Sequence, residues 1–167
     1  MRYWIGLGAN LGARSTTLRG AADALEQLGI ARGRSSLYAS AAVGGPEQPS
    51  YLNAALVIDS DLAPLQLLGR SLELEAAFGR DRAKETRWGP RILDIDVLMI
   101  GERGDHVLAL PGLDVPHPRL HERAFALAGL VELDETLFHP LQARTVGALL
   151  RDLSPALSAV HATGERL

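Results

Sequence analysis

A chain of 167 residues can close a hydrophobic core of its own, and 47% hydrophobic with 22% charged residues excludes extended disorder. The absence of cysteine excludes a disulfide framework, a thiolate metal site and a cysteine nucleophile, and fits the cytoplasm. A net charge of −3 argues against a nucleic-acid-binding surface; no stretch approaches the roughly 20 apolar residues of a membrane helix, and the opening Met1-Arg2-Tyr3-Trp4-Ile5-Gly6 is not a signal peptide.

In chain order, Tyr3 to Leu7 reads as a short buried strand and Gly8 to Gly12 as a turn. Leu18, Ala21, Ala22, Leu25 and Leu28 keep helical spacing, with Ser15 as N-cap and Gly29 as stop. Ser35 to Ser40 forms a second strand, Val43 to Ser50 a loop broken by Gly44-Gly45-Pro46, and Tyr51 to Ser60 a third strand. Asp61 caps a second helix with Pro64 in its first turn, Gly79 after its end and an apolar stripe of Leu65, Leu68, Leu72 and Ala76. A fourth strand runs from Ile92 to Ile100. Short pieces follow at Val107 to Leu110 and Leu113 to Val115, then a helix from His121 to Leu133 and another from near Thr145. The order strand, helix, strand, strand, helix, strand is that of an α+β, ferredoxin-like βαββαβ core with additional C-terminal elements. With no repeat or linker, residues 1–167 read as one domain.

The chemistry concentrates after the second helix. Between Arg80 and Arg91 stand Arg80, Arg82, Lys84, Arg87 and Arg91 against Asp81 and Glu85, a local +3 in an acidic chain. A site for a particular anion explains this better than a general polyanion surface. With few apolar anchors, this loop is predicted to be mobile without ligand. Asp94 and Asp96 alternate along the fourth strand and so share one face, Cα atoms about 7 Å apart, while Leu93, Ile95, Val97 and Met99 point the other way. Like charges so close repel, and removing one carboxylate is predicted to stabilise the metal-free fold slightly. A hard divalent cation resolves the repulsion well. From spacing alone an exposed strand face, or pairing to Arg91 or Arg87, fits equally. A guanidinium fork such as Arg91 suits phosphate oxygens, and arginines beside an acidic pair suit phosphoryl transfer; a solvated surface loop is the other reading.

Several motifs together make the pattern specific. The run Arg87-Trp88-Gly89-Pro90-Arg91-Ile92-Leu93-Asp94-Ile95-Asp96-Val97-Leu98 resembles the signature of the 6-hydroxymethyl-7,8-dihydropterin pyrophosphokinases of the folate pathway. Ile5 to Gly12 resembles the family's opening, Gly44 to Ala55 its pterin-binding loop and strand, and Val115-Pro116-His117-Pro118 with His121-Glu122-Arg123-Ala124-Phe125 its later elements, all in family order. The resemblance implies transfer of pyrophosphate from ATP, the co-substrate, to the pterin alcohol by a monomer acting on small molecules alone. It implies two Mg²⁺ ions on Asp94 and Asp96, which bridge the ATP phosphates. Arg80, Arg82, Lys84, Trp88 and Arg91 would belong to a loop closing over the triphosphate. Tyr51 and Phe125 would sandwich the pterin, as aromatic faces stack on planar rings; on the residues alone they read rather as core aromatics. Asn53 would offer donor and acceptor to the pterin's amide edge. Backbone groups of Ser40, Ala42 and Val43 would contact the pterin, and Glu75, Val97, His117 and Arg123 the nucleotide. Departures from the family pattern are Ala41 and Ala42 in place of prolines, Gly112 where an arginine can stand, Asp114 at a threonine-like position, and one extra residue near Ala83.

Two other readings compete. Gly6-x-Gly8 after a strand suggests a dinucleotide fold, but Gly12 comes one position late and no acidic ribose ligand follows at the expected distance. A non-catalytic ferredoxin-like RNA-binding module needs exposed aromatics and a basic sheet, whereas this sheet carries carboxylates.

Overall fold

The computed structural model of the chain describes residues 1–42, 47–82, 89–153 and 159–167. Its centre is β1 (Arg2–Ala9) and β4 (Tyr51–Asp59), paired antiparallel from Arg2 opposite Asp59 to Ala9 opposite Leu52. β4 carries the longest buried run, and a strand buried on both faces reads as continuous hydrophobicity. β5 (Asp94–Ile100) flanks β1 on the other side, also antiparallel. β3 (Ser36–Ser40) lies beyond β4, and β10 (Val160–Arg166) beyond β3, so the sheet runs β10-β3-β4-β1-β5. β2 (Ile30–Arg34) pairs with the far half of β4. The predicted second strand, Ser35 to Ser40, is β3; β2 is a further strand before it, and the two meet at Ser35. That fully buried residue bonds Ala55 twice, its N–H donating to Ala55 O and its hydroxyl accepting from Ala55 N–H.

Helices α1 (Arg14–Glu26) and α2 (Pro64–Ala77) complete the βαββαβ core, the ferredoxin-like arrangement predicted. One apolar layer, with Leu18, Leu25, Leu56, Leu67 and Leu93 at its heart, joins them to the sheet. A second, on the opposite face, gathers Trp4, Val57, Leu98, Leu127 and Leu130. It lies under α3 (Ala124–Asp134) and α4 (Val146–Asp152). The hairpin β6 (Leu108–Leu110) and β7 (Leu113–Val115) matches the predicted short pieces, and β8 (Phe138–His139) pairs with β9 (Arg144–Thr145).

Several local expectations change. α1 starts at Arg14 behind Ala13, with no side-chain cap, so Ser15 lies inside the helix. α2 starts behind Ala63 rather than Asp61, and the Ala63 N–H donates to Gln66 Oε1 instead. Its buried face is Leu67, Ser71 and Glu75, whereas Leu65 and Leu72 are exposed. Apolar periodicity selected the wrong stripe because this helix turns two polar residues inward, one of them for the site. The helix predicted from His121 is a 3₁₀ turn (Leu120–Glu122) followed by α3. A bulge opposite Trp4 and Ile5 shifts the pairing of β5. Leu93, Ile95 and Val97 join the α1–α2 layer as predicted, but Met99 beyond the bulge joins the other one. The last helix keeps its predicted start, with the Thr145 hydroxyl accepting from Ala148 N–H. No helix of the described residues is long and apolar enough to cross a membrane.

Candidate active site

The face of the sheet that packs under α3 is open at one end, and a cavity of about 470 Å³ lies there. Its floor is a row of paired residues: Asn53 on β4 stands opposite Gly8 on β1, and Gly8 opposite Asp94 on β5, with Asp96 opposite Gly6 two pairs along. The two glycines therefore belong to a strand beneath the cavity, not to a phosphate-binding turn. A methyl group at Gly8 would reach contact distance of Asn53, Tyr51 and Asp94, 3.4 to 3.9 Å away. A bare backbone at that point keeps the three side chains clear of one another, as expected where a ligand comes close to a strand.

At the β5 end every carboxylate has an arginine. Asp94 Oδ1 accepts from Arg80 Nη1 at 2.6 Å and Oδ2 from Arg91 Nη1 at 2.8 Å. Asp96 Oδ2 accepts from Arg123 Nη1 at 2.9 Å, with His117 Nε2 3.9 Å away. The like-charge repulsion predicted for the pair is therefore already neutralised, and the expectation that losing a carboxylate stabilises the fold is withdrawn. Arg80 is not part of a closing loop. Its side chain is 3% exposed, and Nη1 also donates to Glu75 Oε1 at 2.6 Å and Leu93 O at 3.2 Å. Glu75, 1% exposed, accepts in addition from Ile95 N–H at 2.8 Å and Arg82 Nη2 at 2.5 Å. Burial pushes its carboxyl pKa up against the pull of Arg82, the Ile95 N–H and Arg80. Removing one member of such a group would leave a buried charge uncompensated. Glu75 thus anchors Arg80 behind the strand and does not line the cavity.

Arg91 is fixed from the other side. Its N–H donates to Asn10 Oδ1 at 2.7 Å and its carbonyl accepts from Asn10 N–H at 3.0 Å. Asn10 in turn donates from Nδ2 to Gln48 Oε1 and Pro49 O. Both ends of the basic segment are therefore held against the sheet. His117 Nδ1 accepts from Arg119 N–H at 3.1 Å, which leaves the ring hydrogen on Nε2, facing Asp96. Burial lowers the His117 pKa, outweighing the pull of Asp96, and so favours the neutral ring.

At the opposite end the cavity turns apolar and amide-lined. Asn53, 5% exposed, donates from Nδ2 to Ser40 Oγ at 2.9 Å. Tyr51 and Phe125 line the same space, Tyr51 with its hydroxyl 3.4 Å from Gly89 O. The Arg123 guanidinium carbon lies 5.9 Å from the centre of the Phe125 ring and so joins the two ends.

Of the residues singled out from sequence, Ser40, Tyr51, Asn53, Arg91, Asp94, Asp96, Arg123 and Phe125 line this one cavity. His117 stands beside Asp96, and Arg82 leans out on Glu75. The Val97 side chain lies in the α1–α2 layer on the other face of the sheet, and the lining residue of the Ser40 loop is Ala41 rather than Ala42. Val43, Lys84, Arg87 and Trp88 lie outside the described residues. Sequence reasoning passed over Gly8, Gln48, Arg119, Glu122 and Val160, which also line the cavity. Gly8, Gln48 and Glu122 stand within the motifs quoted from the sequence but were given no role there; Arg119 and Glu122 also carried the signal of a cation and a carboxylate three apart, now bonded at 3.1 Å.

No group of three or more His, Asp or Glu side chains able to hold a metal alone occurs among the described residues. Two carboxylates on one strand face do fit a Mg²⁺ ion that completes its shell with water and phosphate oxygens.

A ferredoxin-like sheet that brings a carboxylate pair and arginines to one end of a cavity, and aromatic and amide side chains to the other, suits an enzyme that moves a phosphate group onto a flat organic substrate. Residues 4–135 match the sequence model of 7,8-dihydro-6-hydroxymethylpterin-pyrophosphokinase (HPPK). The chain is 40% identical over 141 residues to a 2-amino-4-hydroxy-6-hydroxymethyldihydropteridine pyrophosphokinase of Pseudomonas aeruginosa, covering 83% of this chain and 84% of that one. It is 39% identical over 159 residues to the Methylorubrum extorquens protein of the same name, covering 93% and 95%. Among solved structures, an HPPK-DHPS in complex with substrates superposes with a TM-score of 0.69 at 12% identity, over 94% of this chain and 44% of that one. The wild-type Plasmodium falciparum HPPK-DHPS with pteroate gives 0.69 at 14%, over 90% and 42%. This chain spans less than half the length of either, and the likeness shows the fold. The chain belongs to the 7,8-dihydro-6-hydroxymethylpterin-pyrophosphokinase family.

Proposed function

We propose that this chain transfers the β,γ-diphosphoryl group of ATP to 6-hydroxymethyl-7,8-dihydropterin, giving AMP and the pterin diphosphate, in folate biosynthesis. The observation that carries the reading is the continuity of one cavity from Asn53 across Gly8 to Asp94. A flat heterocycle held at the Asn53 end directs a short arm toward the carboxylates. Asn53 and Ser40 meet the amide edge of the ring, and Tyr51 and Phe125 cover its faces. The hydroxymethyl oxygen bonds to the β-phosphorus as the bond from that phosphorus to the bridging α-β oxygen breaks. AMP leaves with that oxygen, and the hydroxyl proton passes to Asp96 or to water.

Asp94 and Asp96 would hold two Mg²⁺ ions, which when bound neutralise phosphate charge. Arg91 and Arg123, half-exposed on the carboxylates in the free protein, lie within reach of phosphate oxygens, where a guanidinium fork bonds strongly. Neutral His117 offers Nε2–H as a donor. Arg80 stays behind the strand and orients Asp94. The reading takes residues 1–167 as one domain working as a cytoplasmic monomer on small molecules, with neither nucleic acid nor membrane as partner. Incubation with ATP, Mg²⁺ and the reduced pterin alcohol tests it: AMP forms in step with pterin consumption, whereas ADP formation, or no reaction, refutes it.

The aromatic slot yields its own prediction. Tyr51→Ala and Phe125→Ala each weaken pterin binding by about 1–3 kcal/mol, the scale of ring stacking on aromatic side chains, with MgATP affinity nearly unchanged. Calorimetric titration of each ligand checks this. Loss of MgATP affinity with pterin affinity intact would remove both rings from the pterin site.

A further inference from the structure

Beyond Asn53 and Ser40 the cavity ends on a strand outside the family match, which stops at residue 135. Ala159 and Val160, at the start of β10, line it. Val160 stands opposite Ser40 in antiparallel register, and Ser40 opposite Tyr51. Its side chain packs against the α3 layer, as do those of Phe125 and Tyr38. It is therefore a hydrocarbon wall directly behind the amide-lined end of the slot.

The sheet supplies a ruler. Strands lie about 4.8 Å apart, so three spacings, from Asp94 on β5 across β1 and β4 to β3, span about 14 Å, and β10 is one spacing further. In 6-hydroxymethyl-7,8-dihydropterin the hydroxymethyl arm and the 2-amino group lie at opposite ends of the long axis. With the arm directed at Asp94 and Asp96, the 2-amino end points past Asn53 toward β3 and β10; the row through Asn53 itself ends on Tyr38 and Ala162, and Ser40 with Val160 forms the next row on the same face, joined to Asn53 by the bond from Asn53 Nδ2 to Ser40 Oγ. We propose that Val160 is a specificity-determining residue: its isopropyl group closes the slot behind the 2-amino edge and rejects pterins alkylated on that nitrogen. Ser40 and Asn53 lie beside the edge, and Val160 sets how far beyond it the ligand can extend. The inference rests on reading the slot as the pterin site.

The test compares the parent substrate with its N2-ethyl derivative, using AMP release as readout. The wild-type protein favours the parent by at least tenfold in kcat/KM, since a single methylene in an apolar pocket is worth roughly 10–200-fold. Val160→Ala opens the wall and narrows that preference by about tenfold, chiefly through a gain on the N2-ethyl compound. Val160→Phe raises KM for the parent on the order of tenfold, with KM for MgATP within about twofold, because only the ring end is obstructed. A purely structural role for Val160 would move both substrates together. The proposal is overturned if the Val160→Ala protein, folded by circular dichroism, keeps the wild-type preference, or if Val160→Phe leaves the parent's KM unchanged. Failure of the wild-type protein to turn over even the parent would instead refute the proposed function, and the specificity role with it.

Discussion

Asp94→Asn and Asp96→Asn are each expected to lower turnover by about three orders of magnitude, some 4 kcal/mol of transition-state stabilisation. Each carboxylate faces the cavity from one side of β5 and is the nearest anionic group to the arginines that surround the phosphates in the proposed reaction. The amide keeps the shape and loses the charge that a hard cation requires. The effect on the fold differs between the two. Asp94 holds the buried Arg80 as well as Arg91, so Asp94→Asn should also cost about 1–3 kcal/mol of stability through weakened charged hydrogen bonds. Asp96 holds the half-exposed Arg123, and Asp96→Asn should leave the melting temperature nearly unchanged. Steady-state rates across a Mg²⁺ series, together with thermal melts, check both parts. Retained Mg²⁺-dependent turnover in both variants would remove the pair from the site.

The second large effect is expected at Arg91. Its backbone is clamped by Asn10 and its guanidinium rests on Asp94. A cation so fixed needs little reorganisation when charge moves on the β-phosphoryl group, and groups prearranged in this way act mainly on the transition state. Arg91→Ala should therefore reduce kcat by about 10²–10³-fold, the range for removing one prearranged donor, while the dissociation constant for MgATP rises much less. Arg82→Ala should be milder, since Arg82 leans on Glu75 with its side chain 57% exposed. Rapid-quench turnover beside equilibrium titration of MgATP separates the two quantities. An Arg91→Ala effect confined to MgATP affinity would contradict this assignment.

Much of the core was legible because burial leaves periodic marks. β1, β4 and β5 read as apolar runs, and the stripe of Leu18, Ala21, Ala22 and Leu25 announced α1. β2 and β10 did not, because Ile30–Arg34 and Val160–Arg166 are mostly exposed, and each contains a glycine and charged side chains. Such strands exist through their pairing partners, which a local pattern does not contain. α2 misled because Ser71 and Glu75 occupy its buried face. A polar residue turned inward to serve the site looks like a surface residue in sequence.

The same division holds in the site. The Asp-x-Asp strand was readable because alternation alone puts both carboxylates on one face. Their arginine partners were only partly readable: Arg91 stands three residues away, whereas the Arg123 contact crosses from the start of α3 to β5. Arg80 was taken for a loop residue because nothing in its neighbours announces that Glu75, five residues earlier in the last turn of α2, draws it into the interior. Gly8 and Val160 became visible only when the sheet register set them beside Asn53 and Ser40.

The central claim, that a diphosphoryl group moves as a unit to a pterin held along the Asn53–Asp94 row, is tested most directly by a single turnover with ATP radiolabelled at the β-phosphorus. The account predicts that the label passes entirely into the pterin product and that the AMP formed is unlabelled. Label retained in ADP, or released as free pyrophosphate with the pterin unchanged, would contradict it.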